Sequence, residues 1–167
     1  NRKHTINEYL QIFEKLKKIN SKIKFSSDFI IGYPGEDEED FKKTFELIEK
    51  IKFINSYSFI FSPRPGTVAA NLKLIDKKIS MNRLEKAQNL LFENQMAMNK
   101  SLENKNLNVL VENFTQEKTH VFGRSEHMTS VIFNGNKSDI GKIMPVRIQQ
   151  SNRSTLFGEK INNSNQK

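Results

Sequence analysis

The sequence predicts a chain in two parts, an α/β half with parallel strands followed by a small five-stranded β-barrel. Three observations point there. Two apolar runs, Ser27-Asp28-Phe29-Ile30-Ile31-Gly32-Tyr33-Pro34-Gly35 and Ser58-Phe59-Ile60-Phe61-Ser62-Pro63-Arg64-Pro65-Gly66-Thr67, each stop in a Pro/Gly turn, with a helical pattern between them. That is the pattern of a strand–helix–strand unit, whose crossover is right-handed. Next, a long amphipathic pattern occupies residues 81–103. Lastly, beyond Asn106, five short segments alternate with turn residues, as in a small barrel or sandwich.

The elements follow in order. Thr5 and Glu8 form a capping box for a first helix. Tyr9, Ile12, Phe13, Leu16 and Ile19 recur at helical spacing, and Lys17 and Lys18 sit where the helix dipole favours cations. Residues 25–31 read as a strand, with Phe29, Ile30 and Ile31 expected to be buried on both faces. Pro34-Gly35 fits the centre of a type II turn, Gly35 supplying the positive φ. A helix is expected over 37–52, its core stripe Phe41, Phe45, Ile48 and Ile51, acidic at its start and carrying Lys50 and Lys52 at its end. Residues 56–62 form the next buried strand, and 71–80 is read as loop.

The amphipathic helix that follows shows Leu84, Ala87, Leu91, Met98 and Leu102 on one face, interrupted by Gln95. The β-segments are 108–113, 121–125, 129–133, 144–149 and 155–159, with a strong turn signal at Asn134-Gly135-Asn136. The expected organisation is residues 1–80 as the α/β part, 81–105 as a joining helix, 106–161 as the β-barrel, and 162–167 as a disordered tail.

Composition limits the function classes. Net charge is +8 and the pI about 9.6, which suits a polyanion partner, although Lys and Asn are abundant throughout and a general basic bias gives the same number. Cysteine is absent, which excludes disulfides, thiolate metal sites and a Cys nucleophile within these residues; no metal-ligand spacing appears among the three histidines. No apolar run is long enough to span a membrane, and no signal peptide is visible, so a cytoplasmic protein is expected. The chain starts at Asn1 rather than Met, so it is expected to begin within a longer protein.

The chemistry sits at the strand ends. Glu36, Asp37, Glu38, Glu39 and Asp40 crowd the start of the second helix. Five carboxylates would repel a phosphate, which disfavours a phosphate-binding loop, and a ligand that lacks phosphate or carries positive charge fits better. Simple helix capping explains the same acids. Arg64, held between Pro63 and Pro65, is presented at low entropic cost and suits a carboxylate or a nucleic-acid phosphate; a structural ion pair is the alternative. The β-segments carry Lys118, Arg124, Lys137, Lys142, Arg147 and Arg153 interleaved with Phe114, Phe122, Phe133 and Phe157, a composition that suits RNA. Phenylalanines at strand positions are more often core, and five acids dilute eight Lys/Arg from Asn106 onward.

The segments SSDFIIGYPGED and SYSFIFSPRPGT together resemble the radical S-adenosylmethionine methylthiotransferases, closest to the MiaB type. Val109-Leu110-Val111-Glu112, Gly123-Arg124-Ser125-Glu126, Ile140-Gly141-Lys142 and Ser154-Thr155-Leu156-Phe157-Gly158-Glu159 resemble that family's TRAM domain. The resemblance implies that the α/β half is the C-terminal part of a partial (βα)6 radical SAM barrel, followed by a TRAM-like barrel. It implies S-adenosylmethionine and two [4Fe–4S] clusters for the intact enzyme, neither cluster ligated here because the cluster cysteines are missing, so the chain alone is expected to be inactive. It implies methylthio addition at C2 of a modified adenosine 37 in tRNA, with the anticodon arm and the N-terminal cluster-binding and barrel segments as partners, and a monomer.

On these residues the resemblance places Asp28, Ile30, Gly32 and Glu36 beside the cofactor, Arg64 and Thr67 on a substrate or cofactor loop, and Lys118, Arg124, Lys142, Arg147 and Arg153 on RNA. No catalytic side chain and no metal ligand is assigned. Sibling enzymes acting on threonylcarbamoyl-adenosine or on a ribosomal-protein aspartate are the alternatives within the family. A free-standing, non-catalytic RNA-binding remnant is the alternative outside it.

Overall fold

Thr5 opens the first helix in the way its spacing predicts. Its hydroxyl accepts from the Glu8 amide, and the Glu8 carboxylate accepts in return from the Thr5 amide at 2.6 Å. The structure is a computed structural model and describes residues 5–161. The expected tail from Asn162 lies outside the described residues. The chain divides into two compact units, with the boundary between Ala87 and Gln88.

In the first unit, α1 (Ile6–Ile19) packs Tyr9 towards Phe53 and Phe13 against Phe25, ring centroids 6.4 and 5.0 Å apart. Ile12 and Ile19, expected in the same stripe, are exposed. At 100° per residue they lie about a quarter turn from the Tyr9–Phe13 centre line. Lys17 does serve the helix end, its ammonium donating to the carbonyls of Ser21 and Ile23.

The strands β1 (Asp28–Ile31) and β2 (Tyr57–Ile60) are parallel, paired from Asp28↔Tyr57 to Ile31↔Ile60, with α2 (Glu38–Ile51) between them in sequence. Phe29 and Ile31 are buried together with Phe41, Ile48, Ile51, Phe53 and Ile54, and the Phe29 and Phe53 rings meet edge to face at 5.2 Å. Each such side chain contributes about 1.5–3 kcal/mol of burial. Phe45 is only half-buried. Burial of both strand faces is not what the structure shows. Ile30 is 60% exposed, and Tyr57 and Phe59 are 67% and 55% exposed. An uninterrupted apolar run reads the same whether one face or two are covered, and here the alternation decides: Phe29 and Ile31 turn inward while Asp28 and Ile30 turn outward.

A short 3-10 helix (Val68–Asn71) leads to α3 (Lys77–Leu102), which starts four residues before the expected Met81. Asp76 explains the difference. Its carboxylate accepts from the amides of Lys78 and Ile79, the geometry of an N-cap. Asp76→Ala is expected to cost about 1 kcal/mol and to fray the first turn, visible as faster amide exchange at Ser80 while the amides beyond Ala87 keep their rates. Gln95, the polar residue in the helix stripe, has a partner there. Its amide donates to Asn99, which is fully buried and donates to the carbonyls of Asn152 and Arg153.

The second unit is a closed barrel of β3 (Asn106–Phe114), β4 (Val121–Ser125), β5 (Ser130–Phe133), β6 (Ile143–Ser151) and β7 (Thr155–Lys160), in the order β3-β4-β5-β7-β6. All pairs are antiparallel except β5–β7. All five expected segments are strands, with ends displaced by at most two residues. The core is aliphatic around one ring, Phe133, with Val109, Val111, Val121, Val131, Val146, Ile148 and Leu156.

Asn134-Gly135-Asn136 does not close a hairpin. It leads into a 3-10 helix (Lys137–Asp139) on the way to β6, because β7 and not β6 lies beside β5. Asp139 ends that helix buried. Its carboxylate accepts from Lys160 Nζ at 2.7 Å and from the Asn136 amide at 2.9 Å. The Lys160 hydrogen bond first, then the Asn136 amide, hold its pKa below the usual carboxylate value against the opposing effect of burial. A depressed native pKa gives stability that is complete above the unfolded-state value of about 4 and fades as the pH falls through the native one. The thermal midpoint is therefore expected to fall more steeply below about pH 4 than in Asp139→Asn, which starts lower at neutral pH and responds less to acid. Melts across that range check this.

Candidate functional site

In the first unit, chemistry gathers where β1 and β2 end. Both strands run into the same device. Tyr33-Pro34-Gly35-Glu36 is a type II turn closed by the Glu36 amide on the Tyr33 carbonyl at 2.9 Å, with Gly35 at φ +93°. Arg64-Pro65-Gly66-Thr67 repeats it, the Thr67 amide on the Arg64 carbonyl at 3.2 Å and Gly66 at φ +80°. The two strand ends are joined by the Phe61 amide on the Ile31 carbonyl at 2.8 Å and by an edge-on contact of Tyr33 and Phe61, 5.1 Å between rings.

Gly32 and Glu36 form one unit. The Gly32 amide donates to Glu36 Oε2 at 2.9 Å, so neither group is open to a ligand through that pair. A Cβ on Gly32 would stand 2.7 Å from Ser80 Oγ, and the chain passes there with φ +75°. The other Glu36 oxygen accepts from Arg83 at 2.9 Å, and Arg83 also donates to the Glu36 carbonyl and, at 3.0 Å, to Glu38. Burial alone would lower the pKa of this guanidinium, but the hydrogen bonds and charges of Glu38 and Glu36 prevail and raise it. The acid cluster is thus explained locally. Asp37 and Asp40 form a capping box, Glu36 and Glu38 hold Arg83, and Glu39 lies 3.9 Å from Lys43. Arg83 had no signal in the sequence, since it lies 47 residues from Glu36.

Asp28 and Ile30 lie together on the outward face of β1, beside Tyr57 and Phe59 of β2, whose rings run nearly parallel at 16°. Ile30 and Phe59 are register partners, so they form one apolar shelf. Arg64 and Thr67 are exposed in the second turn, and the Thr67 hydroxyl donates to the Arg64 carbonyl at 2.8 Å. Asp28, Ile30, Gly32 and Glu36 are therefore drawn to one strand and its turn, with Arg64 and Thr67 at the end of the neighbouring strand.

In the second unit, the five basic residues named from sequence do not form one patch. Arg124, Leu110 and Ile143 share one row across β4, β3 and β6, and Lys142 adjoins Ile143. Arg124 is partly engaged, 3.7 Å from Glu112 and donating to the Met128 carbonyl at 3.3 Å. Lys118 sits exposed in the β3–β4 turn at φ +56°. Arg147 is opposite Glu159 on β7. Arg153 lies in the β6–β7 turn that Asn99 holds, its guanidinium 4.2 Å above the Phe92 ring. The phenylalanines also divide. Only Phe133 is buried; Phe114, Phe122 and Phe157 are half-buried, Phe122 and Phe157 on the outer face and Phe114 opposite the inward Val121. Reading β4 with a period of two, Phe122 and Arg124 share the outer face and Val121, Gly123 and Ser125 the inner one, which was the signal for this arrangement.

No described helix is long and apolar enough to cross a membrane. Among the described residues no group of three His, Cys, Asp or Glu side chains could hold a metal ion.

Residues 100–161 match the TRAM domain family. Along its whole length the chain is 66% identical to a tRNA-2-methylthio-N(6)-dimethylallyladenosine synthase of Pelagibacter ubique. It is 41% identical, over 96% of its length, to the enzyme of that name in Ruthia magnifica, and 37% identical, over 95%, to that of Wolbachia pipientis wMel. The chain spans about 37% of the length of these relatives.

Proposed function

Because the chain belongs, over the stretch it spans, to the tRNA-2-methylthio-N(6)-dimethylallyladenosine synthase family, we propose that it forms the C-terminal part of a radical S-adenosylmethionine tRNA methylthiotransferase. The observation that carries this reading is the 66% identity running through both units. The proposed reaction adds a methylthio group to C2 of N6-dimethylallyladenosine 37. With no cysteine in 167 residues, both [4Fe–4S] clusters would be held by residues outside this stretch. The chain alone is therefore expected to be inactive.

S-adenosylmethionine fits the first unit in kind. When bound, it supplies the transferable methyl group and the reactive sulfonium bonds. The Ile30–Phe59 shelf offers an apolar seat for its adenine, and the exposed Asp28 carboxylate on the same face complements a cation. Gly32 and Glu36 act by fixing the loop that bounds this seat. Arg64 and Thr67 stand where substrate or cofactor would meet the second turn. On the barrel, Lys118, Arg124, Lys142, Arg147 and Arg153 would meet phosphates of the anticodon arm, fixing position without reading sequence.

The test is a chimera. The corresponding segment of the Pelagibacter ubique relative is replaced by this chain and expressed in a strain lacking the modification, and its tRNA is analysed by mass spectrometry. Methylthio-dimethylallyladenosine is the expected product. Methylthiolated threonylcarbamoyl-adenosine, or a modified ribosomal-protein aspartate, would assign a sibling activity instead. If no methylthio product forms although the chimera is folded, the enzyme reading is overturned in favour of a non-catalytic RNA-binding role.

A further inference from the structure

The barrel carries an aromatic row on its outer face that its basic residues do not explain. Phe122, Ile132 and Phe157 are register partners across β4, β5 and β7, and all three are half-buried while their strand neighbours Val121, Val131, Phe133 and Leu156 fill the interior. The core is complete without them. Alongside the row lies an open cleft of about 410 Å³, lined by His120, Ile132, Gln149 and Phe157 among others.

We propose that this cleft seats one unpaired RNA base, stacked on Phe157. The proposal rests on the RNA-binding reading above and deepens it, because it names what the barrel holds besides phosphate. A nucleobase is a flat group with an apolar face and a polar edge, and the cleft offers the complement of both. Ile132 and Phe157 give its lining an apolar part, and His120 and Gln149 add donors and acceptors to the same lining.

Charge sets the direction. Glu117 and Glu159 also line the cleft and would repel a phosphate placed inside it. Arg124 lies two residues from Phe122 on the same face of β4, and Lys118 lies in the turn that supplies Glu117 and His120. The base therefore enters the cleft while its phosphates run past Arg124 and Lys118. Stacking of this kind tolerates any base and requires a strand that is not paired.

The experiment uses the 167-residue chain and a single-stranded RNA of about ten nucleotides with a central 2-aminopurine, compared with the blunt duplex of the same sequence. The expected result is tighter binding of the single strand with a change in 2-aminopurine fluorescence. Phe157→Leu keeps the apolar volume but removes the π face. It is expected to abolish the fluorescence change and weaken binding about five-fold or more. His120→Ala, away from the barrel core, is expected to reduce the same signal. Arg124→Ala should weaken binding while the fluorescence change persists at saturation.

Single-strand binding that leaves 2-aminopurine and the Phe157→Leu variant unaffected overturns the cleft and leaves the RNA reading standing. Failure to bind either RNA overturns both. Concentration-dependent dimerisation that disappears in Phe157→Leu would assign the face to a second copy of the chain and also overturn the proposal.

Discussion

Arg83→Met is expected to destabilise the first unit by about 3 kcal/mol. The Arg83 side chain is 8% exposed and Glu36 11%, so their ion pair is largely removed from water, whereas Glu38 at 77% exposure is not. Removing the guanidinium leaves the Glu36 carboxylate buried with only the Gly32 amide for a partner. It also removes the cation from the face of Phe41, 5.6 Å from the ring centre. A buried pair costs far more when one member is deleted than when both are replaced. Arg83→Met combined with Glu36→Gln should therefore recover much of the loss, and the cycle should show a coupling well above 1 kcal/mol. Urea unfolding and exchange of the Gly32 amide read both effects. Additive losses in the double variant would mean that the pair does not act as a unit.

Gly123→Ala should be the most damaging single-methyl change in the barrel. A Cβ at Gly123 would stand 2.1 Å from the Leu110 carbonyl oxygen and 2.8 Å from its carbon, and at Gly158 it would stand 2.4 Å from the Arg147 oxygen. These neighbours are backbone atoms of the adjacent strand, so no rotamer relieves the overlap. The strand must move, and in β4 it would give up the Leu110↔Arg124 pairing. The expected cost is about 3 kcal/mol or more, roughly 12–24 °C in thermal midpoint for a unit of this size. Gly135→Ala meets side-chain atoms of Val121 and Asp139 instead, and should cost less because those can turn. A drop of only a few degrees in Gly123→Ala would show that the two strands separate easily.

The element pattern was legible in the sequence wherever a local signal was decisive. The capping box at Thr5, the two Pro-Gly turns and all five barrel strands follow from short-range chemistry that acts within a few residues. The start of α3 was not legible, because Lys77 and Lys78 oppose the helix dipole just where Asp76 caps it. The exposure of Ile30 and Phe59 was hidden for another reason. Apolar alternation blurs when both faces of a strand carry large side chains, and only the pairing shows which face is covered. Arg83 and Asn99 belong to a third class. Their partners lie about fifty residues away, and a lone polar residue on an amphipathic helix looks like a solvated one.

The place of β7 in the barrel has a consequence for how this unit comes into being. The strand pairs with β5 on one side and β6 on the other, although β5 precedes it by more than twenty residues. While a ribosome is still short of Thr155, β5 and β6 each present an unsatisfied edge, and the partial sheet has no way to close. Every hydrogen bond that completes the ring depends on the last of the five barrel strands to be translated. Pairings so distant along the chain are slow to form, because the loop between them must be ordered before any contact repays it. The nascent unit is thus expected to stay open and in need of protection at its edges until synthesis has passed β7, and then to close in one cooperative step.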